Sequence, residues 1–300
     1  MFGVEFGSAF HEAPRFAGAA AAASARAGTR RVALLASGRR HRDITRLITP
    51  WNIGGLTAPF VFLDYAQVAP ESHLHGIQPY PGIATLTIVL NGAVSFEDTT
   101  GQRGEVRAGG FAWMRAAHGT WRGGGSAAAE PLRVLQLWIA LPASPDGIAG
   151  ASQGIAPHEV EADGPARVIL GQSGEARSRI RNAPTDINCF HVRLRDGERW
   201  RYAASAGHNV TWLAVDRGAL QLEEDERVYW DQIAVFGDSR GLIEVRAAGD
   251  ASFLLGSATR LPQPLALDGD PVATPFAAIV QDDPQPAPGS AARQRAQGGR

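Results

Sequence analysis

Histidine spacing is the feature of this sequence that most directly suggests chemistry. His73 and His75 stand on either side of Leu74, and His118 lies in a loop before Trp121. Residues two apart on a β-strand face the same side, so both imidazoles could bind one divalent metal ion, with His118 as a third ligand. The alternative is that all three are surface-loop histidines. We prefer this alternative, because motifs of this length arise by chance.

Other reactive side chains are isolated in the sequence. Cys189 is the one cysteine, which excludes an internal disulfide and a thiolate zinc cage. Its apolar neighbours predict a buried strand and an inert core thiol. His191 and His208 have no acidic partner at a useful spacing and are predicted to be structural. The sequence contains no His-Glu-x-x-His motif and no Gly-x-Gly-x-x-Gly motif.

Charge and composition exclude several classes of partner. The 300 residues include 29 basic and 30 acidic residues, for a formal net charge of −1. No overall field would therefore draw the chain to nucleic acid or to an anionic membrane, and no apolar run reaches the ~18 residues of a membrane span. All the basic residues are arginines, which excludes a lysine Schiff base. We expect a cytoplasmic protein with no nucleic-acid or membrane partner.

The elements that must position any site are short β-strands. Residues 85–90 and 93–97 flank Asn91-Gly92, which predicts a hairpin, and residues 209–222 repeat the order strand, glycine turn, strand. The predicted fold is all-β, with two antiparallel barrels. The predicted boundaries are a mobile tail over 1–28, a first barrel over 29–145, a linker with connecting strands over 146–185, a second barrel over 186–281 and a disordered tail over 282–300.

Six segments of the first half resemble the pirin family. They read RLITP (46–50), PFVFLDY (59–65), GIATLT (82–87), EDTTG (97–101), WMRA (113–116) and LQLWIALP (135–142), with looser matches near residues 254–264. Pirins are bicupins, in which two cupin-type jelly-roll barrels follow one another in one chain. The resemblance therefore implies the fold that the strand pattern also predicts.

The resemblance also implies a chemistry, and the sequence departs from it. Pirins usually hold a mononuclear non-haem iron in the N-terminal barrel, bound by a His-x-His pair and a His-x-Glu pair. Some resemble quercetin 2,3-dioxygenases and others are nuclear co-regulators. Carried over residue by residue, the four ligand positions fall on Gln78, Tyr80, Arg122 and Gly124. Glutamine and tyrosine bind iron weakly, and arginine stays protonated and repels a dication, so we predict that the usual iron site is absent.

The substituted positions suggest a metal-free cavity instead. The Arg122 guanidinium offers a fork for a carboxylate, phosphate or enolate oxygen, and Gln78 and Tyr80 add donors. Apolar walls for a planar ligand would come from three further side chains, Trp113, Met114 and Trp121. The alternative is that Arg122 pairs with a nearby acid and fills the space of the lost metal.

Two functions follow from these observations. The first is a pirin-like protein without a cofactor that binds a small aromatic or anionic molecule, or a protein partner, in a regulatory role. The second is a divergent quercetin 2,3-dioxygenase-like oxygenase, with Fe(II) or another divalent metal displaced to His73, His75 and His118. The four substituted positions favour the first.

Overall fold

The fold consists almost entirely of β-strands, which confirms the predicted class. It is seen in a computed structural model that describes residues 28–68, 73–77, 82–97, 103–115, 122–125, 131–141, 151–222 and 226–261; for 73–77, 97, 122–125 and 151 it describes the backbone alone. The elements of the first half are β1 (Val32–Ser37), β2 (Arg39–His41), β3 (Ile44–Ile48), α1 (Gly54–Thr57), β4 (Phe60–Val68), β5 (His73–Ile77), β6 (Ile83–Asn91), β7 (Ala93–Glu97), β8 (Arg103–Arg107), β9 (Phe111–Arg115), β10 (Arg122–Gly125), β11 (Leu132–Ala140) and β12 (Ala151–Ile155). Those of the second half are β13 (Ala162–Asp163), β14 (Ala166–Leu170), β15 (Gln172–Ser173), β16 (Ala176–Arg177), β17 (Ile187–Leu194), β18 (Arg199–Tyr202), β19 (Val210–Arg217), β20 (Ala219–Gln221), β21 (Arg227–Tyr229), β22 (Gln232–Phe236), β23 (Ile243–Ala247) and β24 (Ala251–Ala258).

The first barrel is built from two facing antiparallel sheets. A seven-stranded sheet has the order β12-β9-β6-β11-β4-β3-β2, and a four-stranded sheet has the order β5-β10-β7-β8. Apolar side chains alternate toward the space between the sheets, so Phe62 of one sheet joins Val94, Phe96 and Val106 of the other in one core. This interior is where the candidate site lies.

The second barrel repeats the arrangement. Its seven-stranded sheet has the order β1-β22-β19-β24-β17-β14-β13 and faces a four-stranded sheet of order β18-β23-β20-β21. Phe190, Leu213 and Val245 belong to the core between them. The small β15–β16 hairpin stands apart.

A third core joins the two seven-stranded sheets. It contains Trp113 from the first barrel and Trp212 from the second, both fully buried. Phe60 meets Trp212 edge to face, with ring centroids 5.1 Å apart. A buried, largely apolar layer therefore joins the two barrels.

Strand β1 corrects the predicted start of the first barrel. Residues from 29 onward were assigned to that barrel, but β1 pairs with β22 of the second barrel, from Val32 opposite Phe236 to Ser37 opposite Gln232. The predicted 146–185 linker is likewise divided, because β12 pairs with β9 and β14 pairs with β17. Alternation in a strand shows which residues are buried, but not which sheet edge the strand joins.

The predicted Asn91-Gly92 hairpin is also wrong. Strands β6 and β7 lie in different sheets of the first barrel, and Gly92, with φ of +77°, turns the chain from one sheet to the other. Gly218, with φ of +74°, makes the same corner between β19 and β20. Both positions need the left-handed backbone that glycine adopts without a steric penalty.

Candidate functional site

A line of polar side chains crosses the inner face of the first barrel. Strand register sets Arg46 opposite Asp64, Asp64 opposite Gln136, and Gln136 opposite Thr87. Each lies on a strand whose other inward residues are mostly apolar, since alternate residues of a strand share a face. Asp64, Thr87 and Gln136 are each at most 5% exposed.

Hydrogen bonds connect these side chains in two pairs. Arg46 makes a bidentate contact with Asp64, with Nε 3.0 Å from Oδ1 and Nη2 3.2 Å from Oδ2. The Thr87 hydroxyl donates to Oε1 of Gln136 at 2.6 Å. The amide group of Gln136 thus has its oxygen engaged and its nitrogen, Nε2, facing the interior.

A second row lies beside the first. Trp138, Thr85, Met114 and Ser152 follow one another across β11, β6, β9 and β12. Phe62 meets Trp138 edge to face, with centroids 5.4 Å apart. The inner face therefore sets an aromatic wall next to hydroxyl and amide groups.

Three buried polar atoms in these rows have no hydrogen-bond partner among the described residues. They are Nε2 of Gln136, Oγ1 of Thr85 and Oγ of Ser152. Leaving such a group unsatisfied costs about 1–3 kcal/mol, and few native buried groups are left so. Three of them on one inner face are typical of a site that a ligand or water completes.

The electrostatics of this face depend on Asp64. Burial, the largest influence, raises the pKa of its carboxyl group, while the hydrogen bond and charge of Arg46 lower it; the net direction is upward. Arg46 is about a quarter exposed, whereas Asp64 is buried, so the pair reaches from the interior toward the rim. The face offers donors and acceptors without a strong net charge.

Two of the four family ligand positions, Arg122 and Gly124, lie on β10 of the opposite sheet. Arg122 of β10 pairs with Ile77, the residue before Gln78, and Gly124 pairs with Leu74. The described backbone therefore sets Arg122 and Gly124 against β5, the strand that precedes Gln78 in the sequence. Gln78 and Tyr80 themselves lie outside the described residues.

The displaced-site candidates are only partly placed. Strand β5 contains both His73 and His75, as their spacing predicts, and His73 pairs with Gly125. His118 lies outside the described residues, and so does Trp121. The metal site on these three histidines therefore stays a prediction.

The two predicted wall residues of β9 face opposite ways. Met114 lies opposite Thr85 and Ser152, on the inner face. Trp113 belongs to the core between the barrels. The assignment of Trp113 to the cavity wall is thus corrected, because adjacent residues of a strand point to opposite faces.

Comparison with known proteins identifies the family of one domain. The Pirin family model matches residues 40–139. A "Pirin-like protein" of Caulobacter vibrioides is 29% identical over 226 residues, covering 70% of this chain and 79% of the relative. A Pseudomonas aeruginosa protein, whose name assigns it provisionally to the quercetin 2,3-dioxygenases, is 28% identical over 234 residues, or 71% of this chain and 79% of that protein. Residues 40–139 form a pirin-family domain.

Solved structures show the same fold for this chain. The crystal structure of a quercetin 2,3-dioxygenase from Acinetobacter baumannii superimposes with a TM-score of 0.70 at 22% identity, covering 79% of this chain and 89% of that one. A bacterial pirin from Escherichia coli, in complex with nickel(II), gives 0.61 at 16% identity, covering 76% and 100%. At these identities the match concerns the fold alone.

The residues of this chain do not fit the family's iron. At the four positions carried over from the family resemblance, an amide, a phenol, a guanidinium and a glycine stand where the family has three imidazoles and a carboxylate, and Arg122 belongs to β10. Arginine has no lone pair to give and cannot lose its proton in a protein. In the part of the chain that the structure describes, no cluster of three His, Cys, Asp or Glu residues could hold a metal.

A second buried network lies between the barrels of this chain and is not a nucleophilic triad. Asp216 contacts Nε2 of His191 at 2.9 Å and accepts a hydrogen bond from the Ser252 hydroxyl. Because the hydroxyl donates to the carboxylate and not to the imidazole, the serine–histidine contact of a nucleophilic triad is missing. His191 is therefore structural, as predicted, although its acidic partner lies 25 residues away.

Two further predictions concern single features. Cys189 is fully buried, and burial raises the pKa of its thiol, which confirms an inert core cysteine. Over the described ranges, no helix combines the length and hydropathy of a membrane span. The cytoplasmic location stays a prediction.

The unpartnered polar atoms of the inner face are candidate site groups that the sequence alone does not predict. Thr85 and Gln136 belong to the motifs that carry the family resemblance, but Ser152 lies in the predicted linker. The available signal was a polar residue at an inward position of an apolar strand, such as Gln136 in LRVLQLWIA. This signal identifies a site residue only when it is known which face of each strand points into the barrel.

Proposed function

We propose that this chain binds a small oxygen-bearing aromatic molecule inside its first barrel and does so without the family's iron. The observation that carries the proposal is Nε2 of Gln136, a buried amide donor with no partner among the described residues. A carbonyl, hydroxyl or carboxylate oxygen of a ligand would satisfy it. Binding of this molecule in the cavity is the proposed function, whether the chain then acts as a regulator or as a sensor.

The neighbours of Gln136 define the ligand class. Thr85 and Ser152 add hydroxyl groups one row away, and Asp64 with Arg46 extends the polar surface to the rim. Trp138 and Phe62 offer the aromatic wall against which a ring can stack or pack edge to face. Arg122, on the facing sheet, would favour an anionic substituent.

The chemistry of the residues at the four family ligand positions supports binding without a metal. A dioxygenase of this family needs an ion with open positions for substrate and oxygen. Here a permanent cation occupies one of the four positions and a glycine another. The alternative, an oxygenase with a metal displaced to His73, His75 and His118, is favoured by the relatives named as quercetin dioxygenases.

Ligand binding to chelator-treated protein tests the proposal. Isothermal titration with quercetin and with benzoate is expected to give saturable binding tighter than about 1 mM. Replacing Gln136 by leucine removes the donor and is expected to weaken binding by about tenfold, the value of one buried hydrogen bond. The matched control is Gln67→Leu, which removes an exposed glutamine of β4 and leaves binding unchanged.

Two outcomes contradict this function. One is the failure of every aromatic probe to bind the metal-free protein. The other is binding that appears only after Fe(II) is added and that comes with oxygen consumption on quercetin. The second outcome would establish the alternative, and loss of that activity in the His73→Ala, His75→Ala double variant would place its metal.

A further inference from the structure

The second barrel contains a cavity that the first-barrel site does not use. Its volume is about 560 Å³, within the range of roughly 300–1,000 Å³ that small-molecule sites occupy. Two loops line it: residues 204–209, which follow β18, and residues 238–240, which follow β22. Both loops lie at one end of the barrel, next to the segment that leads into β1.

A buried cation lies behind this cavity. Arg30 is 1% exposed, and its guanidinium donates to the carbonyl of Gly237 at 2.6 Å, the hydroxyl of Thr211 at 2.7 Å and the carbonyl of Asn209 at 3.2 Å. All three acceptors are neutral, and no carboxylate of the described residues lies within ion-pair distance. Buried arginines are normally paired with an anion, whereas the acidic charge that acts on Arg30 is that of Asp238, which is exposed and makes no ion pair with it.

A chain of hydrogen bonds links Arg30 to the wall of the cavity. Because a guanidinium can only donate, the Thr211 hydroxyl accepts from it and directs its own hydrogen to Ser257 at 3.5 Å. The Ser257 hydroxyl lies 2.8 Å from Nδ1 of His208, a residue of the cavity wall. When Ser257 donates to Nδ1, the hydrogen of the neutral ring is on Nε2, which has no partner among the described residues and is free to donate.

The charges around the cavity favour an anion. Burial lowers the pKa of His208, while the charge of Asp186 raises it and that of Arg30 lowers it; the net direction is downward, toward the neutral ring. Arg240 and Asp238 are exposed at the rim, where their charges oppose each other. Asp186 and Asp238 act on this end of the barrel from exposed positions, where solvent screens their charges, whereas the charge of Arg30 is buried and poorly screened.

We propose that this cavity is a second ligand site, specific for a small organic carboxylate. His208 and Ser205 are its hydrogen-bonding residues, Arg240 is the cation at the rim and Arg30 is a positioning residue that supplies the charge from behind. The Ser205 hydroxyl accepts from Nδ2 of Asn188 at 3.0 Å, which leaves its own hydrogen for the ligand. No residue of the first-barrel site takes part, so the two sites are independent.

Titration of the full chain with succinate and with citrate tests this site. We expect saturable binding tighter than about 1 mM, and a matching shift of the His208 ring signals in protein labelled with ¹⁵N-histidine. His208→Leu is expected to weaken binding at least about tenfold. The matched control, His158→Leu, removes an exposed histidine outside the cavity and leaves binding unchanged.

Further variants keep the test decisive. Arg240→Gln changes an exposed side chain and therefore folds; it is expected to weaken succinate binding about threefold to tenfold, in line with the loss of one partly screened charge. Gln136→Leu is expected to leave succinate binding intact, so failure here is distinct from failure of the first-barrel proposal. The inference is overturned if neither acid binds by about 10 mM, if inorganic phosphate alone binds, or if binding survives both His208→Leu and Arg240→Gln.

Discussion

Nε2 of His191 lies 2.9 Å from Oδ2 of Asp216, in the buried layer where the two barrels meet. Two residues of the first barrel, Arg133 and Tyr65, belong to the same hydrogen-bond network. Arg133 donates to the backbone carbonyl of Asp216 at 3.4 Å and to the Tyr65 hydroxyl at 2.7 Å. A polar clamp of these residues, His191, Asp216, Arg133 and Tyr65, thus fastens one barrel to the other inside an otherwise apolar interface.

Asp216→Ala is expected to destabilise the chain by about 3 kcal/mol, because it leaves the buried donors of His191 and Ser252 without an acceptor. Urea unfolding measures the effect. Asp43→Ala, at an exposed turn, is the control and should stay within about 0.5 kcal/mol of the original chain.

The same carboxylate gives the stability a defined pH dependence. Burial, the largest influence, raises the pKa of Asp216, but the charge and hydrogen bond of His191, the Ser252 hydrogen bond and the Arg133 charge together hold it below its ordinary value. Because the pKa of Asp216 is lower in the folded chain than its unfolded value of about 3.9, the ionised carboxylate stabilises the fold at pH values above about 3.9. This stabilisation is lost as the pH falls through the pKa of the folded chain. The difference in free energy of unfolding between the original chain and Asp216→Ala is therefore expected to be largest at neutral pH and to shrink in acid. A difference that does not change with pH would contradict the stabilising role of the ionised carboxylate.

A third prediction concerns the packing of side chains in the layer between the barrels. A Cβ atom on Gly256 would lie 2.4 Å from the Trp212 ring, which is buried on all sides. Gly256→Ala is therefore expected to lower the free energy of unfolding by at least about 1–3 kcal/mol through overpacking. Gly55→Ala has open space around its new methyl group and is the matched control. Equal effects of the two changes would show that the side chains around Gly256 move aside for the methyl group, and would contradict the prediction.

Alternation of polar and apolar residues is enough to predict an all-β chain with two barrels, because burial on one face of each strand follows from the sequence. It does not predict which strands become neighbours. Val32–Ser37 alternates like an N-terminal barrel strand yet completes the second barrel, and Gly92 makes a corner where its Asn-Gly sequence indicates a hairpin. Both outcomes depend on contacts between distant parts of the chain.

The candidate site, like the fold, can be predicted from the sequence only in part. The substitutions at Gln78, Tyr80, Arg122 and Gly124 can be read from the sequence once the family motifs set the register. The partnerless amide of Gln136 cannot, because it depends on Thr87, 49 residues away, taking the amide oxygen. The pairing of His191 with Asp216 likewise has no sequence signature.

Restoring the family ligands is expected to create a metal site. The change is the quadruple variant Gln78→His, Tyr80→His, Arg122→His and Gly124→Glu, which supplies three imidazoles and a carboxylate. We expect it to gain about one Fe(II) or Ni(II) per chain in equilibrium dialysis. The control restores only the first two positions and is expected to bind far more weakly; a quadruple variant that gains no metal would show that the register of these positions is wrong.

The iron content of the original full-length chain tests the central claim most directly. Purified protein is incubated anaerobically with excess Fe(II), freed of unbound metal and analysed by mass spectrometry for iron per chain. A first barrel that holds a guanidinium and a glycine in place of ligands predicts far less than one iron per chain. One tightly held iron per chain, retained in the His73→Ala, His75→Ala double variant, would contradict the account.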